Sequence, residues 1–243
     1  MISIVCAYNN EEILNKALKK TLEQQVGIEY ELLAIDSKIY DFKSAAETLN
    51  YAGDKANGEY IIFAHQDIVF ENKNDLINLY NLCRKNKFGI AGVAGCVYEN
   101  GTFYTISNIH HGKEHKLATT KALGTQPKEV DSLDECLIIV PKNIFQKYKF
   151  SNLGKTWHLY GTDYSLKMKV NGYKVLVLPI DLWHLSEGAS LNPNYFDAIK
   201  KLAKQYKDKT GYIYTIFGYW PTSTLKLWGK CLYRKIRLKI RGV

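Results

Sequence analysis

Short apolar runs recur along the chain, broken by polar or glycine-containing segments, and between them lie stretches whose apolar residues fall at helical spacing. Ile2 to Tyr8 (ISIVCAY) is a buried-strand run ending at Asn9-Asn10. Glu11 to Gln25 then sets Ile13, Leu14, Ala17, Leu18 and Leu22 three or four apart, which predicts a helix. YELLAIDS reads as a second strand stopping at Asp36, and Ser44 to Lys55 as a helix that delivers the chain at Gly58 to a third strand, IIFA. Three β-α steps in about 70 residues predict a parallel sheet of doubly wound type.

Asp75 to Lys85 predicts another helix, Ile90 to Val97 a strand, and Glu99-Asn100-Gly101 a turn closing a hairpin onto Phe103-Tyr104-Thr105. The pattern weakens from there to Lys128, where His110, His111, His115 and Gly112 suggest a mobile loop. Cys136 to Val140 resumes as strand, Tyr160 to Val170 as helix, and Lys174 to Leu178 as a buried strand ended by Pro179. One sheet accounts for all of these elements, so residues 1–222 are expected to form a single α/β domain, followed by a distinct tail, 223–243.

Composition supports a packed globular chain: 46% of the 243 residues are hydrophobic and 13% aromatic. Thirty-three Lys and Arg against 24 Asp and Glu give a formal charge of +9, which favours anionic partners without choosing among nucleic acid, nucleotide phosphates and acidic lipid. Cys6, Cys83, Cys96, Cys136 and Cys231 are scattered and form no C-x-x-C pair. Neither a disulfide framework nor a structural zinc site is suggested, and most are expected to be small core residues in a reducing compartment. The first residues lack the pattern of a signal peptide, and no apolar stretch reaches the ~18 residues that cross a bilayer, so a cytosolic location, or one on the cytosolic membrane surface, is expected.

The stretch EYIIFAHQDIVF poses the chemical question, because a fully apolar strand ends in His65, Gln66 and Asp67. In open α/β sheets ligands bind beyond the carboxyl ends of the strands, and Asn9, Asp36 and this trio all occupy such ends. A carboxylate and an imidazole two residues apart in extended chain can face one divalent cation, which would neutralise a diphosphate. The same side chains also serve as local turn caps.

In order, IVCAYNN, AIDS and ANGEYIIFAHQD are similar to the donor-site elements of the family 2 glycosyltransferases, and over roughly residues 1 to 190 the chain resembles that family and its GT-A fold. The resemblance implies a Rossmann-like, mixed but mostly parallel sheet flanked by helices, with 1–98 as the nucleotide-sugar-binding half and 99–222 as the acceptor-binding half. Leu49-Asn50-Tyr51-Ala52 stands where many members show R-N-x-G, and His65 replaces the first aspartate of D-x-D. The HQD triplet is similar to that of a bacterial subgroup.

By this resemblance Ala7, Tyr8 and Asn9 contact nucleobase and ribose, Asp36 accepts from the base, and Asn50 and Gln66 lie on the donor side. Asp67 holds Mn²⁺ or Mg²⁺ on the diphosphate, with His65 near the ribose or the metal. WHLYGTDYSLKMKVNGYKVLVLPIDLWH resembles the family's E-D-x-D-L-x-x-R segment, its G-Y strand and the histidine that follows. It implies Asp163 as the base of an inverting transfer and His184 as a further metal ligand; a helix cap and a core histidine are the alternatives. VDSLDECLIIV places Asp134 and Glu135 where the family lines a sugar site, and His158 and Tyr160 are acceptor-site candidates because their rings, beside a tryptophan, suit a pyranose.

The implied activity is transfer of one sugar from a nucleoside diphosphate sugar, a UDP-sugar foremost, to a glycan of a bacterial surface polysaccharide. A non-catalytic nucleotide-sugar or glycan binding module is the alternative. A processive synthase is disfavoured because Q-x-x-R-W is absent.

The tail TLKLWGKCLYRKIRLKIRGV carries Lys226, Lys230, Arg234, Lys235, Arg237, Lys239 and Arg241 and no acid. Leu225, Trp228, Leu232 and Ile236 recur at helical spacing, which predicts an amphipathic helix on an anionic membrane. The protein is therefore expected to be cytoplasmic and peripheral on the inner face of the plasma membrane, with a lipid-linked acceptor within reach. The alternative is that the stripe docks on the domain. No nucleic-acid motif is present.

Overall fold

The computed structural model describes residues 1–186 and 193–240. The first half of the chain supplies β1 (Ile2–Tyr8), β2 (Tyr30–Asp36), β3 (Tyr60–Ala64), β4 (Ile68–Phe70), β5 (Ile90–Gly92), β6 (Ala94–Glu99), β7 (Thr102–Ser107), β8 (Ile109–His111) and β9 (Lys116–Leu117). The short strands β10 (Lys121–Ala122), β11 (Lys128–Glu129) and β12 (Ser132–Leu133) precede β13 (Leu137–Pro141), β14 (Val175–Val177), β15 (Leu182–His184), β16 (Tyr212–Thr215) and β17 (Gly218–Pro221). Helix α1 starts at Glu11–Leu14, passes through a π-helical segment at Asn15–Lys19 and ends at Lys20–Leu22. The other helices are α2 (Ala45–Gly53), α3 (Asp75–Lys85), α4 (Lys142–Lys147), α5 (Tyr160–Val170), α6 (Pro193–Tyr206) and α7 (Thr224–Ile240).

The central sheet has seven strands in the order β11-β14-β5-β13-β3-β1-β2. β1 pairs parallel with β2 and β3, as the opening β-α steps predict. β13 then enters antiparallel between β3 and β5, so the sheet is mixed rather than wholly parallel. Five of the seven strands still run the same way. Both faces are covered, which is why β1 reads as a run apolar but for Ser3. Leu14, Leu18 and Leu76 pack on one face and Leu49, Phe145 and Tyr164 on the other.

One close approach fixes the entry to β3. A side-chain carbon on Gly58 would stand 2.4 Å from the Ser3 nitrogen, and the Gly58 N–H donates to Ser3 Oγ at 2.7 Å. Only glycine fits there.

The strand expected over Ile90 to Val97 breaks at Val93, because β5 stays in the central sheet while β6 leaves to join β10-β7-β6-β12. The β6–β7 hairpin closes through Asn100 (φ 51°) and Gly101 (φ 77°), the two positive φ angles of a type I′ turn, as the sequence predicts. The segment expected as a mobile loop holds β8 and β9, which complete a third sheet, β4-β15-β8-β9. Strands this short leave no legible alternation.

A third apolar cluster joins Tyr195, Phe196 and Ile199 of α6 to Trp220 and to Leu227 and Cys231 of α7. The tail is helical as expected, and the stripe does not dock on the described residues, as the alternative had it: Leu225, Trp228, Leu232 and Ile236 are exposed, and Leu227 and Cys231 face the domain instead. Lys230 and Arg234 reach back to the backbone carbonyls of Tyr219 and Phe217, whereas Lys226, Lys235 and Arg237 are exposed. Arg241 and the side chain of Lys239 lie outside the described residues. All five cysteines are buried and unpaired. Among the described residues no helix is long and apolar enough to cross a membrane.

Candidate active site

A cavity of about 890 Å³ opens where β1 and β3 end and β13 begins. That volume is within the range of small-molecule sites. Ala7, Tyr8, Asn9, His65, Gln66, Asp67, Asp134, Glu135, His158, Tyr160 and His184 all line it. Most of the candidates drawn from the sequence therefore meet in one place.

The backbone ladder explains the convergence. β13 runs against β3, pairing Leu137 with Ala64, and the His65 N–H donates to the Cys136 carbonyl at 2.9 Å. The residues before β13 thus lie beside the residues after β3. Gln66 ties in the first strand: its Oε1 accepts from the N–H groups of Asn9 (3.0 Å) and Asn10 (3.1 Å), and its Nε2 donates to Asn9 Oδ1 (3.0 Å).

His65, Asp67 and His184 gather at one wall, each offering a ligand atom within 4.8 Å of the others. His184 Nε2 lies 3.2 Å from Asp67 Oδ1 and 3.5 Å from His65 Nδ1. Burial works against the Asp67 charge, but the hydrogen bond and charge of His184 outweigh it and bring the carboxyl down to about 2. Burial likewise lowers His184, and Asp67 reverses this and raises it. Desolvation, helped by the facing His184, holds the half-buried His65 below the usual imidazole range. An ionised carboxylate flanked by two imidazoles fits a divalent cation chemically, and the imidazoles suit Mn²⁺ better than Mg²⁺.

Opposite stands an acidic pair. Asp134 Oδ1 accepts from the Cys136 N–H at 2.9 Å. Burial, helped by the neighbouring Asp134 charge, pushes the Glu135 carboxyl up to about 8, although the N–H groups of Gly161, Leu159 and Thr162 favour its ionised form. A carboxyl poised near neutrality in a cavity wall is suited to proton transfer. Tyr160 Oη donates to the Glu135 carbonyl at 3.1 Å and lies 3.4 Å from His65 Nε2, bridging the two walls.

Three expected site residues do not face the cavity. Asp163 is fully buried on α5; its Oδ1 accepts from Tyr206 Oη at 2.9 Å and Gln205 Nε2 at 3.4 Å, both on α6. It forms no part of the cavity lining. Its partner across one helical turn is Lys167, 3.8 Å away, the spacing of the second aspartate and the arginine in E-D-x-D-L-x-x-R. In that register the leading acidic pair falls on Tyr160 and Gly161. Glu135 lies beside position 161: a carbon added to Gly161 would stand 3.2 Å from Glu135 Cγ and 3.5 Å from its Oε1.

Asn50 is also structural: its amide clamps Phe150, donating to the carbonyl and accepting from the N–H, both at 3.0 Å. Asp36 ends β2 as a turn residue whose Oδ1 accepts from the Lys38 N–H at 2.8 Å, and its neighbours Ser37 and Lys38 line the cavity instead. Lys38, His111, Trp157 and Phe217 line the cavity without having been singled out. Trp157 beside His158 was the one legible signal.

A large mixed sheet flanked by helices is the GT-A fold of glycosyltransferases. The chain belongs to the glycosyltransferase like family, whose model matches residues 3–206. No curated protein sequence matches the chain. Among solved structures it is similar to Staphylococcus aureus TarS 1–349 in complex with UDP-GlcNAc, at 12% identity and a TM-score of 0.59, over 83% of this chain and 65% of that one. It is also similar to the mannosyltransferase PcManGT from Pyrobaculum calidifontis in complex with GDP-Man and Mn²⁺, at 11% identity and a TM-score of 0.55, over 85% and 63%. GalNAc-T7 with UDP, GalNAc and Mn²⁺ gives 12% identity and 0.56, over 85% and 48%. The chain thus spans just under two thirds of the TarS fragment and less of the others.

Proposed function

We propose that the protein transfers a single sugar from a nucleoside diphosphate sugar, a UDP-sugar foremost, to a glycan hydroxyl, with inversion. The observation that carries this is that the His65–Asp67–His184 cluster and the Glu135 carboxyl face one cavity at the ends of β1, β3 and β15. Ala7, Tyr8 and Asn9 would hold the nucleoside, with Lys38 near the anionic donor. Asp67, His65 and His184 would hold Mn²⁺, which supplies a positive charge for the leaving diphosphate. Glu135, rather than Asp163, would take the proton from the acceptor hydroxyl as its oxygen attacks the anomeric carbon, while Asp134, His158, Tyr160 and Trp157 would position the sugars.

The similarity to structures bound to UDP-GlcNAc and GDP-Man supports a nucleotide-sugar donor. The outward stripe of α7, beside exposed Lys226, Lys235 and Arg237, supports a place on the anionic inner face of a bacterial plasma membrane and a lipid-linked acceptor of surface polysaccharide synthesis.

A hydrolysis and transfer screen across nucleotide sugars tests this reading, comparing the native protein with Asp67→Ala and Glu135→Gln. Turnover is expected to vanish with Asp67→Ala, and with Glu135→Gln to fall sharply while UDP still binds. Binding of UDP without turnover of any donor by the native protein would make it a binding module instead.

A further inference from the structure

The strands that wall the cavity carry a second set of metal-type ligands on their other side. β15 pairs parallel with β8 and antiparallel with β4, setting His184 beside His111 and Ile68, and Trp183 beside His110 and Val69. Side chains alternate across a strand. His184 and His111 accordingly line the cavity, and His110 lies on the reverse face with Trp183. Glu71, one residue past β4 and two past Val69, is on that reverse face too.

There Glu71, His110 and His115 each offer one ligand atom within 4.8 Å of the others. His115 Nε2 is 2.8 Å from Glu71 Oε1, and the His110 and His115 rings lie parallel with centroids 4.5 Å apart. Two further observations mark the cluster. His110 Nδ1 is buried and has no hydrogen-bond partner among the described residues, a cost that a cation ligated through that nitrogen would remove. His115 is held in the left-handed region at φ 49°, in the β8–β9 turn with Gly112 (φ 66°), a conformation that non-glycine residues seldom adopt without a local reason. Trp183 walls the site, its ring edge to His115 at 5.3 Å and its Nε1 donating to the Gly112 carbonyl at 3.0 Å.

We propose that Glu71, His110 and His115 form a second divalent-metal site, of the zinc class, which fastens the β8–β9 hairpin to the end of β4. Two imidazoles and one carboxylate, with room for water on the exposed side, are a zinc-type donor set. The site is separate from the donor cluster by the thickness of one sheet, so loading it stiffens the strand that presents His111 to the cavity without touching the reacting groups.

The test is calorimetric titration of the full chain with Zn²⁺ alone, with Co²⁺ absorption as a probe of ligand geometry. The native protein is expected to take up Zn²⁺ at both clusters, and Asp67→Asn, which weakens the front one, to retain a one-equivalent binding event with tetrahedral Co²⁺ bands. In the Asp67→Asn background Glu71→Gln and His115→Ala, both at surface positions and so expected to fold, should weaken that event more than tenfold. Loss of the event in Asp67→Asn, or its survival unchanged when Glu71→Gln or His115→Ala is added, would overturn the proposal. So would the absence of any Zn²⁺ binding to the native chain, which would leave Glu71 and His115 as an ion pair.

Discussion

Replacing Asp163 with asparagine separates a structural acid from a catalytic one. The carboxylate is fully buried, holds Tyr206 Oη at 2.9 Å, and stands 3.8 Å from Lys167 Nζ. Asparagine keeps an acceptor for Tyr206 but removes the charge facing Lys167 and sets an N–H₂ where Oδ2 already lacks a hydrogen-bond partner among the described residues. Removing one member of a buried pair costs about 3–5 kcal/mol. Lys167 also donates to the Lys149 carbonyl and remains partly exposed, which places the cost lower, at about 2–4 kcal/mol. For a chain of this length each kcal/mol lowers Tm by about 2–4 °C, so a fall of about 4–16 °C is expected. Turnover per folded molecule, measured well below Tm, should stay within about threefold of native, since no reacting group is touched. Glu135→Gln should do the reverse: little change or a rise in Tm, because an unfavourable buried acid is gone, and a loss of about 10²–10⁴ in turnover. Thermal unfolding paired with single-turnover transfer decides the matter. An Asp163→Asn protein of native Tm but without turnover would restore Asp163 as the base and refute the reasoning.

With Glu135 raised to about 8, the base carries its proton at neutral pH, so kcat/KM should climb with pH and level off above about 8; Glu135→Gln should flatten that limb, and a native profile independent of pH between 6 and 9 would count against the assignment. Asn50→Ala should cost about 1–3 kcal/mol in urea unfolding by stranding the Phe150 backbone groups, with the Kd for UDP unchanged; a weakened Kd at native stability would return Asn50 to the donor site. Gly58→Ala should fail to fold stably, because its methyl would collide with the Ser3 backbone at 2.4 Å, and a native melting curve would show that contact to be slack. Trp228→Glu with Leu232→Glu should abolish sedimentation on phosphatidylglycerol vesicles and leave Tm alone, both side chains being exposed; binding that persists, or native binding equal on phosphatidylcholine, refutes the membrane role.

Much of the sheet was legible because its strands are buried on both faces and flanked by plain punctuation. Asp75–Lys85 and Tyr160–Val170 appear at their expected bounds, and the Asn100-Gly101 turn forms as its residues dictate. The face of α5 that meets the cavity was not legible. Tyr160, Gly161, Thr162, Asp163, Tyr164 and Ser165 are all buried, so no polar stripe distinguishes the side toward Glu135 from the side toward α6. The family pattern supplied a register for Asp163 but not its direction. Lys38, His111 and Phe217 reach the cavity through pairings between distant segments, which no local spacing encodes. Asp36 and Asn50 show the opposite limit, since polar residues at promising places satisfy backbone groups instead.

The reversed direction of β13 has an architectural consequence. A strand running counter to its neighbours begins where they finish, so Asp134 and Glu135 are spaced from His65 and Asp67 by adjacent rungs of hydrogen-bonded main chain. The turns of the β6–β7 and β8–β9 hairpins, which lie outside this ladder, can then change without altering the gap between Glu135 and the His65–Asp67 pair.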